Sequence, residues 1–170
     1  MATATINIGA NPEIEGSLKF VGQTDIGPKI EMILTSVQFG PGAAINLIGD
    51  EYGLIELEGR VLLVDGNFGT VTHPDDAMVS PNVLNYYVGT GIVSWQGAGE
   101  VTFAELGNCN QFEFEQTIER LDHMQHMYGI RSLDYSPVVQ QSATVRLQLD
   151  EWTVPNLQMY LLDVPAVVTP

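Results

Sequence analysis

An all-β fold with one short α-helix is predicted by three observations: three segments of strict apolar–polar alternation, turn sequences spaced between them, and a single stretch of helical spacing near residue 157. In LIELEGRVLLV (54–64), Ile55, Leu57, Val61 and Leu63 fall on one face, and Glu56, Glu58 and Arg60 on the other. QFEFEQTIER (111–120) sets Phe112, Phe114 and Ile118 against Glu113, Glu115, Thr117 and Glu119. ATVRLQLDEW (143–152) sets Val145, Leu147 and Leu149 against Thr144, Arg146, Gln148 and Asp150. Period two places alternate side chains on opposite sides of a strand, so each segment presents one dry and one wet face.

Shorter strands are expected at TINIG (5–9), LKFVG (18–22), KIEMILTSVQF (29–39), AINLIG (44–49), TVTH (70–73), GIVSW (91–95) and EVTFAEL (100–106). Gly40-Pro41-Gly42, Asp65-Gly66-Asn67 and Gly97-Ala98-Gly99 suit reversals between antiparallel strands. The helix is expected in TVPNLQMYLLD (153–163), capped by Thr153, with Pro155 in its first turn and Leu157, Tyr160 and Leu161 on its apolar face. HMQHMYGIRSLDYSPVVQQS (123–142) has no clean period and reads as a long functional loop.

The 170 residues fit one domain, with 45% hydrophobic content and 21 acidic side chains against six basic ones, for a net charge of −15. Such a surface repels phosphates, so nucleic acid is expected to pass it without specific binding. No basic segment precedes an apolar run near Met1 and no stretch has the length of a membrane span, so neither a secretory signal nor a membrane partner is expected. Cys109 is the only cysteine, which excludes an intrachain disulfide and a cysteine metal cluster.

Candidate chemistry is sparse, and no enzyme, cofactor or metal is expected. His123 and His126 are spaced to share a metal only on a helix, and the bland reading is a polar loop or interface. His73 with Asp75 and Asp76, and Asp50 with Glu51, read as solvated turns. The glycine pairs at 89–91 and 97–99 lack the strand-to-helix context of a phosphate loop. Glu113 and Glu115 share one side of a strand and offer a glycosidase-like pair, but the same alternation is that of an ordinary wet face.

Three further stretches carry a resemblance: NYYVGTGIVSW (85–95), GEVTFAELGNCNQFEFEQTIERLDHMQHMYGIRSLDYS (99–136) and QQSATVRLQLDEWTVPNLQMYLL (140–162). In their order and spacing, with an LGN turn, an acidic strand, a loop and a DEWT-x-x-NL strand-to-helix passage, they resemble the major tail tube proteins of long-tailed bacteriophages. Residues 1–77, with EGSLKFVG and VQFGPGAAINLIGDEYGLIELEGRVLLVDGNFG, resemble the closing part of that family, and 78–170 its opening part. The resemblance therefore implies a circular permutation, with an original start near Met78 and Pro170 once continuous with Ala2.

What the resemblance implies is a β-sandwich subunit contributing strands to the inner β-barrel of a hexameric ring, rings stacked as a tube, and passive conduction of DNA. Its partners are then further copies of itself and other tail proteins, and its place is the virion tail, assembled in the host cytoplasm. For the lumen the expected residues are Glu113, Glu115, Thr117, Glu119, Arg146, Gln148 and Asp150. For the ring-to-ring loop they are Met124, Met127, Tyr128, Ile130, Arg131, Leu133, Asp134 and Tyr135. The alternative is a monomeric β-sandwich binding module, an adhesin or virion-decorating domain, and a third reading is a hydrolase using Glu113 and Glu115.

Overall fold

A computed structural model describes residues 4–23, 29–42, 44, 53–73, 86, 89–127, 129 and 131–163. Among these residues ten strands and one helix follow in chain order: β1 Ile14–Gly22, β2 Glu31–Phe39, β3 Ile55–Val61, β4 Gly69–Thr72, β5 Gly91–Gly97, β6 Ala104–Glu105, β7 Cys109–Arg120, β8 His123–Gln125, β9 Ser132–Tyr135, β10 Val138–Leu149 and α1 Val154–Tyr160. The fold is all-β with one short helix, and every strand pairing is antiparallel.

Eight strands form one sheet in the order β6-β5-β1-β2-β3-β10-β7, with β4 beside the first half of β2 and β3 beside its end. In a flat sheet β1 and β7 would lie four strand spacings apart, about 19 Å. Yet the rings of Phe20 on β1 and Phe112 on β7 stack with centroids 4.9 Å apart. The sheet therefore curls until β7, at one end, comes against β1, as strand twist favours.

The dry faces of the three alternating segments line the inside of this curl, except at Leu63 and Ile118, which the alternation assigned to the core and which are exposed (53% and 49%). Leu18, Val37, Phe39, Ile55, Leu57, Val93, Val145, Leu147 and Leu149 are buried there. Phe39 packs against Trp95 at 5.2 Å with tilted rings, a favourable aromatic geometry. Between β3 and β4, Asp65 (φ 50°) and Gly66 (φ 84°) make the two left-handed residues of a type I′ turn, closed by hydrogen bonds between Val64 and Asn67.

Several sequence expectations are corrected. TINIG forms no strand: Gly9 takes φ 68°, and its N–H donates to the Leu161 carbonyl at the end of α1. Of EVTFAEL only Ala104–Glu105 pairs. AINLIG lies outside the described residues apart from Ala44. The expected loop 123–142 holds β8 and β9, paired as a ribbon, and the first five residues of β10.

The helix forms where expected, with Asn156 N donating to Thr153 Oγ1 at 3.3 Å. Its buried side, however, is carried by Asn156, Gln158 and Met159, while Leu157, Tyr160 and Leu161 are only half-buried. Asn156 tolerates the core because its amide is fully used, as described below.

Candidate functional site

Three surfaces deserve a functional reading: a polar face, a projecting arm and the corner that joins sheet to helix.

The polar face is the outer side of β3, β10 and β7, continued by Gln38 at the end of β2. Strand register converts the alternation into cross-strand rows, Glu56–Gln148–Gln111, Glu58–Arg146–Glu113 and Arg60–Thr144–Glu115, and two-strand rows Ser142–Thr117 and Gln140–Glu119. The first row is linked by Gln148 Nε2 donating to Glu56 Oε1 at 3.0 Å, and Gln111 Nε2 donates to Glu113 Oε1 at 2.7 Å. Arg146 Nε faces Glu58 Oε2 at 3.4 Å. An exposed pair of this kind contributes little stability, about 0–1 kcal/mol, so these charges shape a surface more than they hold the fold.

Glu113, Glu115, Thr117, Glu119 and Arg146 are exposed on this face and Gln148 is half-exposed. Asp150 is apart from them: it lies beyond the end of β10, its Oδ2 accepting from Asn108 Nδ2 at 2.6 Å. The expected residues omitted Glu56, Glu58, Arg60, Gln38, Gln111 and Thr144, which with Arg146 and Gln148 line a polar concavity of about 680 Å³; Glu113, Glu115, Thr117 and Glu119 lie outside it. Alternation in 54–64 marked the wet side of β3, but only the register puts it beside β10. The outer edge of β7 pairs with no described strand, leaving the outward-pointing N–H and C=O groups of alternate residues along this 12-residue strand available to another chain.

The arm is the part of the β7–β10 ribbon that outruns its neighbour. β3 accompanies β10 only over Ala143–Leu149, whereas β7 accompanies it from Val138. No described residue beyond this point is buried, and most are exposed whichever face they occupy. Ile118 (49%), Leu133 (53%), Tyr135 (66%) and Met127 (79%) stand open to solvent, as do Leu121, Val138 and Val139. Polar staples stiffen the arm: His123 Nδ1 to Asp134 Oδ1 at 2.6 Å, Ser136 Oγ to Asp122 Oδ1 at 2.6 Å, Gln125 Nε2 to Ser132 Oγ at 3.2 Å and Arg120 Nη1 to the Ser136 carbonyl at 3.2 Å.

Of the residues expected in the ring-to-ring loop, Met127, Arg131, Leu133, Asp134 and Tyr135 are exposed here and Met124 is half-buried; Tyr128 and Ile130 lie outside the described residues. His123 belongs to a strand, so the helical i, i+3 juxtaposition with His126 does not arise. Among the described residues no cluster of three metal-ligating side chains occurs.

The corner unites the two motifs singled out in the sequence. Asn108 N donates to Glu151 Oε1 at 3.0 Å, and the Asp150 N–H donates to the Asn108 carbonyl at 3.3 Å. Asn156, 1% exposed, donates from Nδ2 to the carbonyls of Leu106 and Glu151, both at 2.9 Å. Gly107 sits at φ 81° with the Glu151 carboxylate where a Cβ would project. LGN and DEWT-x-x-N are thus two halves of one structural clasp. Cys109 beside it donates its S–H to the Gln111 carbonyl; burial, reinforced by the Asp150 charge, pushes its thiol above the usual range and makes it a poor nucleophile at neutral pH.

Residues 86–168, just under half of the chain, match a family model described only as a protein of unknown function. No curated protein and no solved structure matches the chain.

Proposed function

We propose that this chain is a structural subunit that self-assembles into hexameric rings stacked as a phage-type tail tube, with the polar face of β3, β10 and β7 turned to a common bore. The observation that carries this reading is the coexistence of an exposed, carboxylate-rich sheet face with the unpaired 12-residue edge of β7. Pairing of that edge with a neighbouring copy extends the sheet, and only a closed ring leaves no edge behind. Five carboxylates (Glu56, Glu58, Glu113, Glu115, Glu119) against two guanidiniums (Arg60, Arg146) would give such a bore a negative wall, along which DNA slides without adhering. The β-sandwich architecture and the virion location belong to the same proposal, supported by the sequence resemblance.

Electron microscopy of the purified full chain should show hollow rods or stacked rings, and persistent monomers at high concentration would instead favour a free-standing binding module. In rods of an E115C variant made in a C109S background, a small maleimide should label residue 115 freely, whereas a maleimide on a polymer too large to enter the bore should label it at least tenfold more slowly than in the dissociated subunit.

The proposed permutation has support in the placement of the two terminal segments. Asn7 N donates to Asp163 Oδ2 at 2.9 Å, Asn11 N to the Leu162 carbonyl at 3.0 Å, and Asn11 Nδ2 to the same carbonyl at 3.1 Å. A chain rebuilt to begin at Met78, with Pro170 joined to Ala2, should therefore fold to the same strand pairings and melt within a few degrees of the present order. A rebuilt chain without cooperative unfolding would refute the permutation.

A further inference from the structure

We infer that Asp65 is a site of spontaneous covalent modification, where the Gly66 backbone nitrogen closes on the Asp65 side chain and the turn between β3 and β4 converts to a β-linked isoaspartyl form. The site is independent of the assembly proposed above. Among the aspartates and asparagines of the chain, Asp65 alone is followed by glycine. A side chain on the following residue would crowd the attacking nitrogen, and glycine removes that obstacle. Nothing lies within 4 Å of the place a Cβ on Gly66 would take, so the tip is open on this side.

The fold presents the reacting groups. Asp65, Gly66 and Asn67 are all exposed, and the turn is closed by two backbone bonds between Val64 and Asn67, at 2.9 and 3.1 Å. Opening them is a local event at the surface. Among the described residues the Gly66 N–H enters no hydrogen bond, so the nucleophile gives up no partner. Asp65 holds φ 50°, in the left-handed region that disfavours an L side chain, and a longer backbone at this point relieves that constraint.

Once the closing bonds open, rotation about the Asp65 Cα–C′ bond brings the Gly66 nitrogen onto Cγ. The nitrogen bonds to Cγ of the protonated carboxyl, its proton and the carboxyl hydroxyl leave as water, and a five-membered succinimide results. Water then adds to one imide carbonyl. At Cγ it restores Asp65; at the Asp65 C′ it breaks the C′–N bond and leaves the main chain running through Cγ. One water is lost and one regained, so mass and charge are unchanged.

The product has one extra backbone carbon, and the fold confines it to the tip. Leu62 N donates to the Ser36 carbonyl at 2.9 Å and Thr35 N to the Phe68 carbonyl at 3.3 Å, so the excursion 63–67 leaves β2 and rejoins it at successive residues. With both ends pinned, the pairings of β2 with β3 and β4 survive, and only the Val64–Asn67 bridge is lost.

Ageing the purified full chain at neutral pH and physiological temperature tests the site. Isoaspartate is located by electron-transfer fragmentation of digests and by methyl transfer from an isoaspartyl methyltransferase. It should exceed, at residue 65, that at every other aspartate, and water labelled with heavy oxygen should leave its label there. D65E, whose longer side chain would need a six-membered ring, should show no rearrangement at this position, and G66A should slow it about tenfold. Aged chains should keep the circular dichroism and the β2–β4 hydrogen-exchange protection of fresh ones. Isoaspartate at 65 that accumulates in urea but not in the folded chain would overturn the inference, since the closed turn would then protect the site. Loss of β2–β4 protection on modification would overturn its confinement to the tip.

Discussion

Asn156→Ala is expected to lower stability by about 2–4 kcal/mol, because one buried amide serves two carbonyls that have no other described donor from the side chains around them. The Leu106 carbonyl lies in the turn leading to β7 and the Glu151 carbonyl in the passage from β10 to α1, so the same substitution unclasps the helix from the sheet. For a chain of this size that corresponds to a fall in Tm of about 5–15 °C, readable by circular dichroism or differential scanning fluorimetry. Asn156→Asp should be as damaging, since a carboxylate supplies no N–H. A variant melting with the wild type would mean that the clasp is not held by this amide.

Gly16→Ala is the second large effect, at about 3 kcal/mol or more. Gly16 lies in β1 opposite Gly97 of β5, where the β1–β2 register shifts between Gly16 and Leu18. A Cβ there would stand 2.2 Å from the Gln96 carbonyl oxygen and 2.5 Å from the Trp95 ring. The oxygen is backbone and the ring is wedged against Phe39, so neither yields without opening the β1–β5 ladder. Trp95 emission should shift to the red as the ring gains water. Gly40→Ala is the control: nothing lies within 4 Å of its added carbon, and its stability change should stay within about 0.5 kcal/mol.

The strands legible in the sequence are those whose two faces meet different environments. β3 alternates buried and exposed over all seven residues, and β10 does nearly so from Ala143 onward. β8, β9 and the outer half of β7 have no strictly buried residue. Without a dry side there is no periodic signal, which is why the arm resembled a loop. TINIG erred the other way: it alternates, but Gly9 turns the chain so that its N–H serves the helix end. Asn156 escaped the helix reading because apolar spacing selects Leu157, Tyr160 and Leu161, and satisfaction of a buried amide depends on carbonyls 5 and 50 residues away in sequence. The polar face was half legible: which residues are wet can be read from one strand, but the rows joining Glu58, Arg146 and Glu113 exist only once the register is known.

β10 is inserted between β3 and β7, strands that precede it in the chain, so during translation the middle of the sheet stays unfilled until about residue 149 has left the ribosome. Consecutive synthesis cannot complete the structure piecemeal; the nascent protein must wait with its greasy strands uncovered. Closure of the sheet then waits on β10, and β7, which among the described residues joins the sheet only through β10, docks with it.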